Sequence, residues 1–339
     1  MGAFLELEGN RTLGREESRA VRRLPFRDFC KLHIILHYVA VLLGKRVSVL
    51  PIGKVGDDAE GRDARALMAK AGMDVSLVAV ERGVPTLFSW CFLYPDGTGG
   101  NLTTADSASS LVTPAFISRA RARLAKHRER GVIVTTPEVP PAARLTLLRL
   151  GSRFGFFRAA ALTSAETDFA RRPEVLRNLD LLALNEDEAR ALAGASSGRD
   201  LAGVLQALGR MVSRLNPALR LSVTAGARGA FGFAGGRWEH VPACPARAVN
   251  TAGAGDAHLA GLIIARAAGL PFLGEARGSR RFADRPVTNA MDFAGLLASC
   301  KTTGKDTIHL SLDARALRAH AATAGARLSP AVAWMLGTK

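Results

Sequence analysis

The sequence predicts a doubly wound α/β fold, in which helices cover both faces of a mostly parallel β-sheet. The first observation is that short apolar segments alternate with helical segments of ten or more residues from about residue 47 onward. Strands that alternate with long helices form βαβ units, whose sheet is covered on both faces. The second is that 48% of the 339 residues are hydrophobic, which supplies a full core and excludes a disordered chain.

The elements follow in order along the chain. Residues 86–104 read as a hairpin, because the Pro- and Gly-rich turn 95–100 separates two extended segments. The other predicted strands are 47–52, 75–80, 132–135, 154–159, 179–184, 221–224 and 237–241. The predicted helices include 59–71, 114–127, 140–150, 254–268 and 287–303.

Residues 1–46 form an atypical basic arm ahead of the α/β pattern. Arginine and lysine dominate this segment, and the whole chain carries a formal net charge of +16. One interpretation is a helical arm with a solvated basic face. The other is a nucleic-acid-binding arm, but its spacing gives no support, and two tyrosines and three tryptophans supply no aromatic interleaving for base stacking. We therefore expect no nucleic-acid partner.

Cysteine usage and hydropathy indicate the cellular compartment in which the protein is expected. The four cysteines are scattered, without a C-x-x-C pair or a Cys/His cluster, which favours reduced thiols in a cytoplasm over zinc or disulfides. The longest apolar run, 33–44, is too short to span a bilayer, and Lys45 and Arg46 follow it instead of a cleavage site. We expect a cytoplasmic protein without a membrane partner.

Three polar segments stand at the predicted carboxyl ends of strands or at a helix start, where open α/β sheets bind ligands. One follows strand 179–184, a second follows strand 221–224, and the third, 250–256 (NTAGAGD), leads into an apolar helix. Small residues allow a ligand to approach the backbone closely. The free N–H groups of the helix's first turn then favour an anion, most simply a phosphate.

A carboxylate stands inside this anion site. Asp256 has an ordinary interpretation as a favourable partner of the helix dipole. Beside a bound phosphate it would instead repel, unless it accepts the proton of an attacking hydroxyl, as phosphoryl transfer to an alcohol requires. Asn185 and Glu188 lie on one helical face and suit Mg²⁺, or they are a simple helix cap. Thr224 and Gly226 also have two interpretations: they bind a phosphate, or they form only a turn at the end of a strand.

The motifs together resemble the signatures of the ribokinase-like, or PfkB, family of carbohydrate kinases. Because they occur in the family's order over about residues 41–310, the match is specific. The matching segments are 53–61 (G-x-V-G-x-D-x-x-G), 185–188 (N-x-x-E), 224–230 (T-x-G-x-x-G-A) and 250–256, which is similar to D-T-x-G-A-G-D.

The resemblance implies a three-layer α/β/α ribokinase-like domain over residues 47–339, with a small β lid. The hairpin at about 86–104 would be part of this lid, the alternative being an ordinary sheet edge. The implied reaction transfers the γ-phosphoryl group of ATP to a hydroxyl of a sugar or nucleoside, with Mg²⁺. Related kinases often pair through their lids, which suggests a homodimer.

Roles for single residues follow from the same resemblance. Asp256 would be the catalytic base, and the backbone of Gly253, Ala254 and Gly255 would form the anion hole. The residues implied to bind cofactors lie at strand and helix ends: Asn185 and Glu188 for metal and phosphates, Thr224, Gly226 and Gly229 for nucleotide phosphates, and Asn289 for the adenine pocket.

The sequence departs from the family pattern at three places. Residues 1–40 lack the opening apolar strand with its substrate-binding Asp, and they lack the following G-G-x-x-x-N segment. Asn250 replaces the first Asp of the signature, near a loop that holds a monovalent cation in some members. His258 replaces a common Phe, and we interpret it as a helix histidine packed against the sheet rather than as a catalytic group.

Two functions follow. The first is an ATP-dependent sugar kinase. The alternative is a catalytically impaired kinase-fold protein that binds nucleotide but has lost the N-terminal sugar-binding elements. Other nucleotide folds are disfavoured, because no G-x-G-x-x-G follows the first strand and Gly304-Lys305 lacks the remainder of a P-loop.

Overall fold

The computed structural model describes residues 1–96, 98–195, 200–274 and 281–337. Its strands are β1 (Gly2–Leu7), β2 (Val21–Asp28), β3 (Gly53–Gly56), β4 (Val78–Glu81), β5 (Ser89–Leu93), β6 (Gly99–Thr103), β7 (Val132–Thr135), β8 (Phe157–Ala161), β9 (Leu181–Asn185), β10 (Arg220–Thr224), β11 (Ala230–Ala234), β12 (Arg237–Val241), β13 (Pro286–Val287) and β14 (Arg327–Leu328). Its α-helices are α1 (Lys31–Leu43), α2 (Ala59–Lys70), α3 (Pro114–Ser118), α4 (Arg121–Lys126), α5 (Pro141–Arg153), α6 (Thr167–Arg171), α7 (Pro173–Arg177), α8 (Glu186–Ala193), α9 (Leu201–Leu215), α10 (Ala254–Ala267), α11 (Ala290–Thr302), α12 (Ala314–Thr323) and α13 (Pro330–Met335).

The central sheet has the order β12-β11-β10-β9-β8-β7, and helices cover both of its faces. Strands β7 to β10 are parallel, whereas β11 and β12 are antiparallel. Alternate residues of β9 face opposite cores: Leu181 packs into the cluster formed with α1, α10 and α11, and Leu182 into the cluster formed with α5 to α9. The predicted three-layer, doubly wound arrangement is therefore confirmed.

Helix α10 is the central element of one helical layer. Its residues are buried without interruption from Asp256 to Ala265, as expected for a helix that is apolar all round. It packs between α1, which contains the predicted apolar run, and α11. This packing places the first turn of α10, with Asp256, at the edge of the sheet and not at the outer surface.

A second, four-stranded sheet of order β2-β1-β5-β6 contains the hairpin predicted to belong to a lid. We call this sheet the lid, and its covering of a substrate stays a prediction. The predicted hairpin is confirmed as β5 and β6, with Trp90 opposite Leu102. The prediction of a helical arm is wrong over Gly2–Leu7 and Val21–Asp28, which are strands of this sheet. The physical reason is that an isolated hairpin is only marginally stable, and β1 supplies the third strand by pairing with β5. The division of the chain at residue 46 stays a prediction.

Three other predictions need correction. Residues 47–52 are not a strand, and the predicted strand 75–80 begins with a 3-10 turn, Val75–Leu77, before β4. The predicted helix 114–127 is divided into α3 and α4. A cavity of about 740 Å³ is lined by residues 47–52 and by β7, the end strand of the central sheet. Among the described residues, 47–52 pair with no strand of this sheet, so the apolar run lacks the neighbour that a strand requires. None of the described helices is long and apolar enough to cross a membrane.

Candidate active site

The predicted motifs meet at the carboxyl edge of the central sheet. Strands β9 and β10 are parallel and in register, with Asn185 opposite Thr224. Helix α10 begins at the same edge, close enough for the charge of Asp256 to act on Glu188. The segment after β7 reaches it too, since Asp256 also acts on Glu138. Residues more than 100 positions apart in the chain therefore form one site.

The turn into α10 exposes backbone N–H groups. Gly253 has φ +80°, and a Cβ there would lie 2.6 Å from the carbonyl oxygen of Thr307, so only glycine fits. At Gly255 a Cβ would meet no heavy atom within 4 Å, so the space above it is open. Within the described part of the chain, the N–H groups of Gly253, Gly255 and Asp256 donate to no protein acceptor. The N–H of Ala254 differs, because it donates to Thr251 O at 3.1 Å.

Asp256 is 7% exposed and pairs with a lysine. The Lys31 Nζ lies 3.4 Å from Asp256 Oδ1, an ion pair between the starts of α1 and α10. The negative charge of Asp256 raises the pKa of Lys31, so the ammonium is held protonated. A buried carboxylate is thus kept beside a permanent positive charge, at the helix end that favours anions.

Glu138 is the second carboxyl group of the site. Its Oε1 accepts the Lys31 backbone N–H at 2.7 Å, which caps the start of α1. Burial raises the pKa of Glu138 to about 7, with opposing contributions from the Lys31 hydrogen bond and charge. Near neutral pH this group exists in both protonation states, and a ligand can shift the balance between them.

Asn185 and Glu188 form a reciprocal capping box at the start of α8. Asn185 Oδ1 accepts the Glu188 N–H, and Glu188 Oε2 accepts the Asn185 N–H, both at 2.8 Å. Burial raises the pKa of Glu188, while the charge of Lys31 lowers it. The helix-cap interpretation of this pair is confirmed. Magnesium binding stays a prediction, and among the described residues no group of three or more His, Cys, Asp or Glu side chains is placed to hold a metal.

The segment after β10 is a glycine turn with an open face. Gly226 has φ +55°, and a Cβ there would meet nothing within 4 Å. Gly229 has φ +89°, and a Cβ there would lie 2.1 Å from Val241 O, so this glycine is required for packing. Thr224 Oγ1 donates to Leu184 O at 3.4 Å. Gly226 therefore has the accessibility that a phosphate site needs, whereas Gly229 has a structural reason of its own.

Asn289 and His258 lie deeper in the molecule. Asn289 is 1% exposed and caps α11, with its Oδ1 accepting the Asp292 N–H at 3.0 Å. Its role in an adenine pocket stays a prediction. His258 Nε2 lies 2.9 Å from Ser222 Oγ on β10, and burial lowers the pKa of the imidazole to about 4. The interpretation of His258 as a histidine packed against the sheet is confirmed.

Sequence reasoning missed Lys31 and Glu138. Glu138 follows β7 by three residues, so the rule that ligands bind beyond strand ends would have selected it. Lys31 opens an apolar helix at the end where a positive charge is disfavoured, which is an unusual place for lysine. Both signals are local, but only the folded chain brings the two residues to Asp256.

A family model described as pfkB family carbohydrate kinase matches residues 37–315. A fructokinase of Klebsiella pneumoniae is 28% identical over 236 residues, covering 65% of this chain and 72% of that protein. Ribokinase from Giardia lamblia superposes with a TM-score of 0.75 at 16% identity, covering 95% of this chain and 96% of that one. Arabidopsis thaliana ribokinase, solved with ribose and ATP, gives a TM-score of 0.67 at 17% identity, covering 94% and 95%.

The fold is that of the ribokinase-like class. Since the family model spans well over half of the sequence, the chain belongs to the PfkB family of carbohydrate kinases. The solved structures are all less than 25% identical, and they support the fold alone.

Proposed function

We propose that this protein transfers the γ-phosphoryl group of ATP to a hydroxyl of a sugar, with Asp256 as the general base. The observation that carries the proposal is the start of α10, where a buried carboxylate lies beside N–H groups that have no acceptor among the residues that the structure describes. Such N–H groups stabilise the charge that develops on a transferring phosphoryl group. Asp256 accepts the proton of the attacking hydroxyl.

The anion hole is formed in this proposal by the N–H groups of Gly253, Gly255 and Asp256. Ala254, which the family resemblance includes, has its N–H committed to Thr251. Lys31 supplies the fixed positive charge closest to the base. In this proposal its ammonium faces the phosphoryl group during transfer. ATP supplies the phosphoryl group, and Thr224 and Gly226 would receive its other phosphates.

Magnesium fits the charges of the site. Asp256, Glu138 and Glu188 surround a single ammonium, so the described cluster has more carboxyl groups than cations. Mg²⁺ is commonly held by one or two carboxylates together with waters and substrate phosphates. Glu188, with Asn185 beside it, would hold the ion, which neutralises charge on the ATP phosphates.

The acceptor is proposed to lie between the site and the lid. Glu138 presents a half-buried carboxyl group whose lone pairs suit the hydroxyls of a sugar. Strand β2 of the lid ends at Asp28, directly before α1, so the lid and Lys31 are connected by only a few residues. The relatives named fructokinase support a free sugar as the substrate class.

The test is a panel of free sugars that includes fructose and ribose, together with nucleosides, assayed for ADP release with ATP and Mg²⁺. We expect turnover of at least one sugar. The impaired-kinase alternative predicts a different result, namely ATP binding by calorimetry without turnover of any acceptor. That outcome would contradict the proposed activity.

A further inference from the structure

Lys301 is a completely buried lysine, and its ammonium rests on the loop that leads into the active site. The side chain is 0% exposed on α11. Its Nζ donates to the carbonyl oxygen of Asn250 at 2.9 Å and to that of Ala252. Burying a charge is costly unless it is paired or hydrogen-bonded, so a lysine at this position requires a reason.

The loop held by Lys301 is the one that sets the anion hole. Asn250 Nδ2 donates to Lys305 O at 2.6 Å, and Asn250 Oδ1 accepts the Ala252 N–H at 2.9 Å. The Asn250 backbone N–H donates to Thr302 O at 3.1 Å. Directly after these contacts come Gly253 and the first turn of α10. The direction of the site's free N–H groups therefore depends on how α11 and the residues after it hold this loop.

These contacts do not fit a bound monovalent cation at the same carbonyls. A desolvated potassium ion takes backbone carbonyl oxygens in place of its water shell. A lysine ammonium carries the same charge and has three donors for the same kind of oxygen. Here the carbonyl oxygens of Asn250 and Ala252 already accept the Lys301 ammonium, so the residues present do not fit the monovalent cation that some family members hold at this loop.

We propose that Lys301 replaces a monovalent cation: its ammonium fixes residues 250–253, positions the anion hole, and makes the protein independent of potassium. This inference rests on the proposed function for its catalytic part. Lys301 is a positioning residue, since it acts through the loop and contacts neither phosphate nor sugar.

The surrounding charges agree with a protonated Lys301 at neutral pH. Burial lowers its pKa to about 8, while the charges of Asp256, Asp306 and Asp28 raise it. The facing imidazole is His309, whose pKa is lowered by burial and by the charge of Lys301. Below pH 8 the ammonium therefore persists, and the three carboxylates around it supply compensating charge.

The first test uses the unaltered protein. Its melting temperature, and its rate on any sugar identified above, are measured in potassium chloride and in tetramethylammonium chloride at equal ionic strength. We expect the two salts to give the same melting temperature and rates within twofold. A protein that needs potassium for rate or stability would overturn the proposal.

The second test compares Lys301→Met with Lys305→Met, which removes an exposed lysine four residues further on. We expect the Lys301 variant to melt at lower temperature, with potassium restoring several degrees and tetramethylammonium none. Its kcat should fall about 100-fold with little change in the KM for sugar, and potassium should restore part of it. The Lys305 variant should behave as wild type.

A Lys301 variant that behaves as wild type, or one that melts identically in both salts, would contradict the inference. Because melting needs no substrate, this readout remains decisive if no sugar is turned over.

Discussion

The carboxyl groups that surround Lys31, Asp256 among them, shift the pKa of this lysine. Lys31 is surrounded by Asp256, Glu188 and Glu138, and each of them raises its pKa, although burial opposes them. A cluster with more carboxyl groups than ammonium groups favours a cation over a bare phosphate. This excess and the charge of ATP support the proposed Mg²⁺ requirement, which stays a prediction.

Glu138→Gln separates the charge of this residue from its hydrogen bonding. The glutamine oxygen still accepts the Lys31 N–H, so helix α1 keeps its cap. We expect the KM for sugar to rise about 10- to 100-fold, because hydrogen bonds to a charged group contribute about 1.5–3 kcal/mol.

The pH dependence of the KM for sugar shows in which direction the charge of Glu138 acts. Glu138 has a pKa of about 7 in the folded protein, so it becomes protonated as pH falls through 7 and accepts hydrogen bonds less well. In wild type the KM for sugar should rise between pH 8 and 6, whereas in Glu138→Gln it should stay flat. Steady-state kinetics with the exposed Glu174→Gln as control check this, and equal pH profiles for wild type and Glu138→Gln would refute it.

At the scale of elements, helix α1 contains two buried histidines with ring nitrogens that lack a hydrogen bond among the described residues. His33 Nε2 and both ring nitrogens of His37 form no hydrogen bond among the described residues. Burial lowers the pKa of His33 to about 3 and that of His37 to about 4. Both imidazoles are therefore neutral in the folded protein at pH 5, but they take up protons when the chain unfolds.

His33→Leu should stabilise the protein more at pH 5 than at pH 7. A folded pKa below the unfolded value of 6.5 means that the unfolded state binds more protons as pH falls, so the stability of wild type is lost below about 6.5. Removing one such group should raise the free energy of unfolding at pH 5, relative to pH 7, by about 2 kcal/mol. Urea unfolding at both pH values measures this.

The exposed His127→Leu serves as the control, with no pH-dependent gain expected. If the free energy of unfolding of His33→Leu showed the same pH dependence as that of wild type, the histidine would be solvated or charged in the fold.

Local patterns predicted the elements of the α/β core but not the N-terminal strands. The run 132–135 was predicted with the bounds that β7 has, and 254–268 matches α10 within one residue. In β2, Leu24, Phe26 and Asp28 alternate toward one face, but the many arginines hid this period of two. Residues 47–52 are apolar enough for a strand, yet a strand also needs a neighbour, which no local pattern reveals.

The sequence predicted only part of the site, because local patterns show motifs within one element but not contacts between distant residues. Asp256, Glu188 and Thr224 belong to motifs within one element or its end, which the sequence displays. The contact between Lys31 and Asp256 joins residues 225 positions apart, and the contact between Lys301 and Asn250 spans 51. Such pairs depend on how α1, α10 and α11 pack, so they become visible only in the folded chain.

At the scale of the whole molecule, the lid presents an apolar surface. Trp90 and Leu102 are a directly opposed pair on β5 and β6 and are 47% and 66% exposed. Opposed residues of an antiparallel pair point to the same face of the sheet. We propose that this face pairs with the lid of a second copy.

The double variant Trp90→Glu and Leu102→Glu should convert a dimer into a monomer, because burying two carboxylates in an apolar contact is costly. Sedimentation velocity at micromolar concentration measures the mass. Trp334→Glu, at a tryptophan that is 68% exposed on α13, is the control and should leave the dimer intact. A wild-type monomer at these concentrations would contradict the lid dimer.

The most direct test of the central claim is transfer of labelled γ-phosphate from ATP to sugar by wild type and by Asp256→Asn. The account predicts that the variant binds ATP about as well as wild type but transfers label at least about 100-fold more slowly, the lower end of what a general base contributes. Asp63→Asn, at an exposed position on α2, should transfer label at the wild-type rate. Equal transfer by wild type and Asp256→Asn would contradict the claim that Asp256 is the base.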